Sequence, residues 1–425
     1  MPARDDIEAP ARVKGSGIAE NYSWTKDDNY VNIDTRVNEM EKRTWAEIDL
    51  DALAHNMREI RKITDPHAQI MAVVKADAYG HGVEECAKTL LANGADRLAA
   101  ATLDEALELR NLFPDVPVLI LGSSMEEEAR EIIENGIMPN VYTYELAEAL
   151  SRTASELGKK VSVHIKLDTG MSRIGFVVDD ENSAETADEI ERISKLPMLE
   201  IEGIFSHFAT SDEADDSYTR LQFKRFMSVC NELSRRGIEI PIKHICNSAG
   251  IMMYPEYHLD MVRPGIILYG MYPSEEVDRS RLDLRYVMSL KSVITYVKEI
   301  EPGRGVSYGI EYIADGGARI ATVPIGYADG YLRLLAGKAK IAVNGELFPI
   351  AGRICMDQCM IDVTSVNNIK RGDEALIFGN GAVTVDDVAD WIGTINYEVT
   401  CMVSRRIPRV YIKNGEVERV IEYLL

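Results

Sequence analysis

A lysine closes an apolar run in Ala-Val-Val-Lys-Ala-Asp-Ala-Tyr-Gly-His-Gly, where it is Lys75. An ammonium at the end of a buried strand loses part of its hydration. That lowers its pKa and frees a neutral amine to attack a carbonyl as a nucleophile. The competing reading is a side chain whose stem lies along the apolar wall while its amine reaches water. Tyr79, Gly80 and Gly82 favour a site, because small residues admit a ligand and a Tyr hydroxyl can donate to an anion. Further on, Lys166, Asp168 and Arg173 stand in His-Ile-Lys-Leu-Asp-Thr-Gly-Met-Ser-Arg-Ile-Gly. Lys166 and Arg173 repel each other if both line one pocket, and Asp168 or a carbamate on Lys166 would relieve this. His207, Asn247, Ser248, Arg263, Gly265 and Ile266 follow other apolar runs. Ser248 offers a hydroxyl at an expected helix start, and Pro264-Gly265-Ile266 offers open backbone N–H groups, which together suit a phosphate. A plain helix cap and a turn glycine would give the same residues, and Lys75 tips the balance toward phosphate.

These residues share a position: each stands at or beside an end of an apolar run. Eight runs, at 70–75, 98–102, 118–121, 137–141, 161–167, 201–206, 242–246 and 265–269, alternate with amphipathic stretches at 84–91, 103–112, 145–156 and 220–235. Most runs are short, rich in Val and Ile, and bounded by Gly, Pro, Asp or Asn, as buried parallel strands are. The pattern predicts an α/β fold with an N-terminal (β/α)8 TIM-type barrel, whose functional residues gather at the C-terminal ends of the strands. Beyond Tyr272 the texture changes. Alternating runs at 288–300, 319–324, 338–343, 360–363, 375–377 and 409–412, joined by turns such as Asn344-Gly345 and Asn414-Gly415, predict a mostly-β C-terminal domain. The expected division is a polar extension over 1–43, carrying Trp24 and Tyr30, a barrel over 44–275 and a β domain over 276–425.

Composition excludes several functions. The net charge is −22, which disfavours nucleic acid and anionic membranes. The six cysteines show no paired spacing, so reduced thiols in a cytoplasmic protein are expected, and no metal site. Neither a signal peptide nor a membrane-spanning run is visible. His55, His67 and His258 read as surface or packing residues.

From Trp45 to Pro408 the chain resembles the alanine racemases. The lysine segment is similar to their pyridoxal-phosphate attachment signature. Leu-Asp-Thr-Gly-Met-Ser-Arg-Ile-Gly, Val-Arg-Pro-Gly-Ile, Gly-Val-Ser-Tyr-Gly, Gly-Tyr-Ala-Asp-Gly, Gly-Arg-Ile-Cys-Met-Asp-Gln and Gly-Thr-Ile-Asn-Tyr-Glu follow in family order. The resemblance implies that Lys75 holds pyridoxal 5'-phosphate and is one catalytic base, and that Tyr308 from a partner subunit is the other. It implies that Tyr79, Ser248, Gly265, Ile266 and Tyr397 bind the phosphate, with His207 and Asn247 nearby, and that Arg263 faces the pyridine nitrogen. Arg173 and the Met356 backbone would hold the substrate carboxylate. Tyr327 and Tyr397 would narrow the entrance, and Lys166 would carry a carbamate. The implied protein is a cytoplasmic head-to-tail homodimer with shared active sites, interconverting L- and D-alanine and supplying D-alanine for peptidoglycan.

These roles make physical sense. Racemisation removes a proton on one face and returns one on the other, so it needs two bases, and Lys75 and Tyr308 fall in different expected domains. Arg263 is the discriminating residue. Most pyridoxal-phosphate enzymes place a carboxylate at the ring nitrogen, whereas an arginine stays charged and only donates. A fold-related decarboxylase should carry an acid at that position and lack the Tyr308 and Met356 motifs. A non-catalytic cofactor-binding barrel should lack the second domain. A racemase of wider scope, acting on serine or basic amino acids, remains compatible with the motifs.

Overall fold

The computed structural model describes residues 43–424. Of the expected extension over 1–43, all but Arg43 lies outside the described residues, Trp24 and Tyr30 included.

Eight parallel strands follow one another: Gln69–Val73, Arg97–Ala100, Val118–Ile120, Asn140–Val141, Val161–Asp168, Leu199–Phe205, Ile242–His244 and Met261–Val262. The first four in spatial order run Met261–Val262, Gln69–Val73, Arg97–Ala100, Val118–Ile120; the others run Asn140–Val141, Val161–Asp168, Leu199–Phe205, Ile242–His244. Backbone hydrogen bonds join the two sets. Ile120 N–H donates to Met138 O at 2.9 Å, and Arg263 N–H donates to Cys246 O at 3.1 Å, so the sheet closes into a barrel. The strands bury both faces, which explains why they read as unbroken apolar runs and not as alternation.

The helices form where the amphipathic stretches predict, and their caps are local. Thr102 and Thr143 accept from Glu105 N–H and Leu146 N–H at the starts of Leu103–Leu112 and Tyr144–Leu157. Such caps satisfy otherwise orphaned donors.

The eighth run is a correction. The strand is Met261–Val262, and Ile266–Tyr269 is a 3-10 turn, because Pro264 has no N–H to continue the ladder. The fourth run is cut in the same way at Pro139, leaving Asn140–Val141 as strand.

The C-terminal strands form two main sheets. One has seven strands in the order Glu346–Pro349, Lys340–Val343, Glu374–Phe378, Met288–Val293, Thr44–Asp49, Arg409–Lys413, Glu416–Ile421; the other joins Tyr296–Ile300, Ala318–Val323 and Cys359–Asp362. The expected run 288–300 therefore splits between two sheets. Thr44–Asp49 opens the stretch expected to form the barrel. Thr44–Asp49 pairs antiparallel with Met288–Val293 and parallel with Arg409–Lys413, so the chain enters through the C-terminal sheet before building the barrel. Two helices, Val385–Ile392 and Asn396–Cys401, follow Glu374–Phe378 and pack against each other, the second also against the turn at Lys75–Tyr79.

Candidate active site

Lys75 stands two residues beyond the first barrel strand, and the backbone then does something its sequence does not announce. Ala76, Asp77, Ala78 and Tyr79 all have positive φ, from 52° to 55°. Four non-glycine residues in the left-handed helical region cost roughly 1–2 kcal/mol each. Contacts hold this turn. Ala76 N–H donates to Glu105 Oε1 at 2.8 Å, and His81 Nδ1 lies 2.9 Å from Ala78 O and 3.1 Å from Tyr79 O. Burial keeps His81 neutral, with its pKa pushed down to about 3. Lys75 itself has a lowered pKa, first from burial and then from the charge of Arg173.

The turn carries Tyr79 to the ends of the seventh and eighth strands. A Cβ on Gly265 would lie 2.7 Å from Tyr79 Oη and 3.8 Å from Ser248 Oγ, so the glycine leaves a small polar cradle that a side chain would fill. Ser248 Oγ accepts from Gly265 N–H at 2.9 Å, which leaves the hydroxyl proton free to donate to an anion. The rings of Tyr79 and Tyr397 are 6.3 Å apart, and Tyr397 sits on the short helix anchored by Asn396 Nδ2 to Tyr272 O at 3.0 Å. Asn247 accepts from Gly250 N–H and Ser211 Oγ, both at 2.9 Å, so in this chain it caps the helix and braces a loop. The residues present therefore fit a phosphate beside a lysine.

Arg263 is 3% exposed and holds four partners. It donates from Nη2 to Ser206 O at 2.8 Å and Ile245 O at 3.1 Å, lies 3.4 Å from His207 Nδ1, and donates from Nη1 to His244 Nδ1 at 2.7 Å. Burial lowers its pKa to about 10, so it remains charged at neutral pH. The same charge, after burial, holds His207 and His244 well below the usual histidine range. Behind Arg263 runs a buried relay. His244 Nε2 meets His164 Nδ1 at 2.9 Å, His164 Nε2 meets Glu202 Oε2 at 3.3 Å, and Arg97 Nη2 meets Glu202 Oε1 at 2.9 Å. The bond with His164, helped by Arg97, brings Glu202 down to about 2. Sequence reasoning missed His164 and His244. Their signal was a histidine placed in a buried barrel strand, His164 two residues before Lys166 and His244 at the end of Ile242–His244.

Lys166 is 4% exposed and donates to Leu167 O at 2.8 Å. Burial, followed by Arg263, lowers its pKa to about 7. Asp168 Oδ1 accepts from Gly170 N–H and Ser172 N–H, both at 3.0 Å, and so shapes the loop that presents Arg173.

Tyr308, Met356 and Tyr327 form a separate group. Tyr308 is 65% exposed and lies on the hairpin built by Gly305–Val306 and Tyr312–Ile313. Ser307 has φ 66° and ψ −175°, a region nearly reserved for glycine. Its hydroxyl donates to Arg353 O at 2.5 Å and meets Cys355 Sγ at 3.5 Å, tying the hairpin to the Met356 loop. Tyr327 N–H and Ala328 N–H donate to Cys355 O and Met356 O. Exposed Ile310, Ile313 and Met356 extend the patch. A cavity of about 320 Å³ opens at the other end of the barrel, around Arg110, Lys160 and Glu202, and shares no lining residue with Lys75.

Comparison with known sequences settles what this arrangement belongs to. The family profile "Alanine racemase, N-terminal domain" matches residues 48–273, and "Alanine racemase, C-terminal domain" matches residues 287–411. The chain belongs to the alanine racemase family. The alanine racemase of Clostridium tetani is 50% identical over 384 residues, covering 89% of this chain and 98% of that protein. That of Methanococcus maripaludis is 49% identical over 371 residues, covering 87% and 98%. The alanine racemase structure of Clostridium difficile 630 matches with a TM-score of 0.87 at 45% identity, covering 91% of this chain and 100% of that one. The Bacillus anthracis alanine racemase with bound L-Ala-P matches at 0.84 and 36% identity, covering 90% and 98%. The fold is the barrel-plus-β-domain fold of alanine racemases, the cofactor is pyridoxal 5'-phosphate, and the activity is the isomerisation of alanine. Among the described residues no helix is long and apolar enough to cross a membrane.

Proposed function

We propose that the racemase uses Lys75 Nζ and Tyr308 Oη as its two bases, on opposite faces of the substrate, with Tyr308 supplied by a second copy of the chain. The observation that carries this reading is the split of the family motifs into two groups, a half-buried cluster around Lys75 and an exposed patch around Tyr308. An exposed Tyr flanked by Ile310, Ile313 and Met356 suits an interface better than solvent. A symmetric pair of chains completes two sites at once.

Pyridoxal phosphate, when bound, supplies the electron sink that acidifies the α-hydrogen. Tyr79, Ser248, Gly265, Ile266 and Tyr397 would hold its phosphate, with His207 and Asn247 bracing the surroundings. The lowered pKa of Lys75 leaves more of its amine neutral and able to take a proton. Arg263, charged and able only to donate, keeps a proton off the ring nitrogen it would face. Arg173 and the Met356 N–H would orient the substrate carboxylate, while Tyr327 and Tyr397 narrow the entrance. Lys166, with a pKa of about 7, has a neutral amine in quantity at neutral pH. That neutral amine adds to carbon dioxide: an N–C bond forms, one C=O π bond opens onto oxygen and a proton passes to water, leaving an anion beside Arg173. The expected organisation is an extension over 1–43, a barrel over 44–275 and a β domain over 276–425, with Thr44–Asp49 crossing into the latter's sheet. A cytoplasmic location fits the six free thiols.

The test uses mixed variants. Lys75→Ala and Tyr308→Phe are each expected to be inactive alone. Mixed and allowed to exchange subunits, they should regain about a quarter of wild-type activity, since half the dimers then hold one intact site of two. No recovery after demonstrated exchange sinks the shared site.

A further inference from the structure

We propose that Arg409 is a positioning residue for the cofactor site, fixing the backbone after Lys75 against the segment after Tyr397. The proposal rests on the assignment of Lys75 and Tyr79 to the cofactor. Arg409 is 1% exposed, and its hydrogen bonds all go to main-chain carbonyls. Nη1 donates to Ser404 O at 2.9 Å and Ile407 O at 2.6 Å, and Nη2 donates to Val403 O at 2.7 Å. These three close the loop that follows the Tyr397 helix. Nε points elsewhere, to Gly80 O at 2.9 Å, the first residue after the left-handed turn. One rigid guanidinium thus spans two stretches far apart in sequence, a geometry suited to its planar fork and not to an ammonium.

A neighbour on the same strand and one in the tail after Glu416–Ile421 reinforce the clamp. Tyr411 Oη donates to His81 O at 3.2 Å, and Tyr423 Oη donates to Asp77 Oδ2 at 2.8 Å. The approach is close enough to require glycine. A Cβ on Gly80 would lie 2.3 Å from Thr400 O, and one on Gly82 would lie 1.8 Å from Tyr411 Oη. The turn at Ala76–Tyr79 is intrinsically unfavourable, so it persists only while its surroundings over-determine it. Arg409, Tyr411 and Tyr423 are that surrounding on the side away from the barrel. If they let go, the turn relaxes and Lys75 and Tyr79 lose their registration with Tyr397.

The experiment compares wild type, Arg409→Lys, Tyr423→Phe and Asp77→Ala. Two quantities are read: amide hydrogen exchange over residues 76–82 in the cofactor-free chain, and the dissociation constant for pyridoxal phosphate from its bound absorbance. Exchange is expected to quicken, and the dissociation constant to rise, by about tenfold in each variant. Asp77 Oδ1 also accepts from Val83 N–H at 2.8 Å, so Asp77→Ala should do at least as much as Tyr423→Phe, and adding Tyr423→Phe to it should do nothing more. Unchanged exchange, or faster exchange with unchanged cofactor affinity, overturns the proposal and leaves Arg409 as a loop anchor. If Arg409→Lys does not fold, the Tyr423 and Asp77 variants decide. Borohydride trapping of the cofactor on wild-type Lys75 separates the two claims. Without trapping the site assignment falls, and the exchange rates still judge the clamp.

Discussion

Arg263 Nη1 donates to His244 Nδ1 at 2.7 Å, and an arginine cannot accept in return. The His244 ring is therefore fixed as an acceptor at Nδ1 and a donor at Nε2. His164 must then accept at Nδ1 and donate from Nε2 to Glu202. Every proton in the relay is assigned by its partner, and each imidazole is neutral, backed by a carboxylate at the far end.

His244→Ala should leave Arg263 with a buried unsatisfied donor and a looser guanidinium. We expect kcat to fall by about 10- to 100-fold, with a measurable rise in the pyridoxamine form of the cofactor as a side product. A variant that turns over normally and makes no pyridoxamine phosphate would show that the relay does not tune the ring nitrogen.

Gly265→Ala places a methyl 2.7 Å from Tyr79 Oη. The hydroxyl must move out of the cradle, so cofactor affinity should drop by about tenfold or more while the secondary structure stays intact. Equilibrium dialysis with pyridoxal phosphate gives the number, and an unchanged constant removes Gly265 from the phosphate site.

Lys166 gives the stability a pH signature. Its folded pKa of about 7 lies below the ordinary 10.5, so between these values the unfolded chain binds the extra proton. Its destabilising effect is full below pH 7 and fades as the pH rises toward 10.5. Urea unfolding in buffer stripped of carbon dioxide should show stability rising across that window, and Lys166→Met should flatten the slope. Added bicarbonate should stabilise wild type at pH 8 and leave Lys166→Met unaffected.

Ser307→Gly relieves a backbone conformation that a serine adopts at a cost of about 1–3 kcal/mol, and it also removes the hydroxyl's bond to Arg353 O. The two effects oppose each other, so the unfolding temperature should change little, while racemisation slows because the residue before Tyr308 becomes free to wander. Calorimetry and D-alanine turnover measured on one preparation check both halves.

The candidate site residues stand out in the sequence where a polar group interrupts an apolar run. Lys75, Lys166 and Arg263 are conspicuous for that reason, and the barrel rule says where such interruptions gather. The backbone that aims them was not legible. Ala76, Asp77, Ala78 and Tyr79 contain no glycine, so nothing in their types signals four left-handed residues; tertiary contacts from Glu105, Arg409 and Tyr423 impose them. The same holds at Ser172, with φ 57° beside Arg173, and at Ser307 beside Tyr308. Pro264 was visible, and reading its missing N–H more strictly would have moved the eighth strand to Met261–Val262. The pairing of Thr44–Asp49 was hidden because its partners lie hundreds of residues away.

That pairing has a consequence for how the chain is made. Thr44–Asp49 emerges early from the ribosome, yet it lies between Met288–Val293 and Arg409–Lys413. It must wait, with both ladders unpaired, while the whole barrel is synthesised. An extended, unpaired segment carrying Trp45 and Ile48 is open in that position to any other strand edge, including one on a neighbouring nascent chain. When Arg409–Lys413 arrives, with Ala46 N–H donating to Pro408 O at 3.0 Å, the two ends of the described chain are stitched side by side. A protease cut between barrel and β domain would therefore release nothing, and a β domain expressed from Met288 onward would carry a slot in the middle of its sheet.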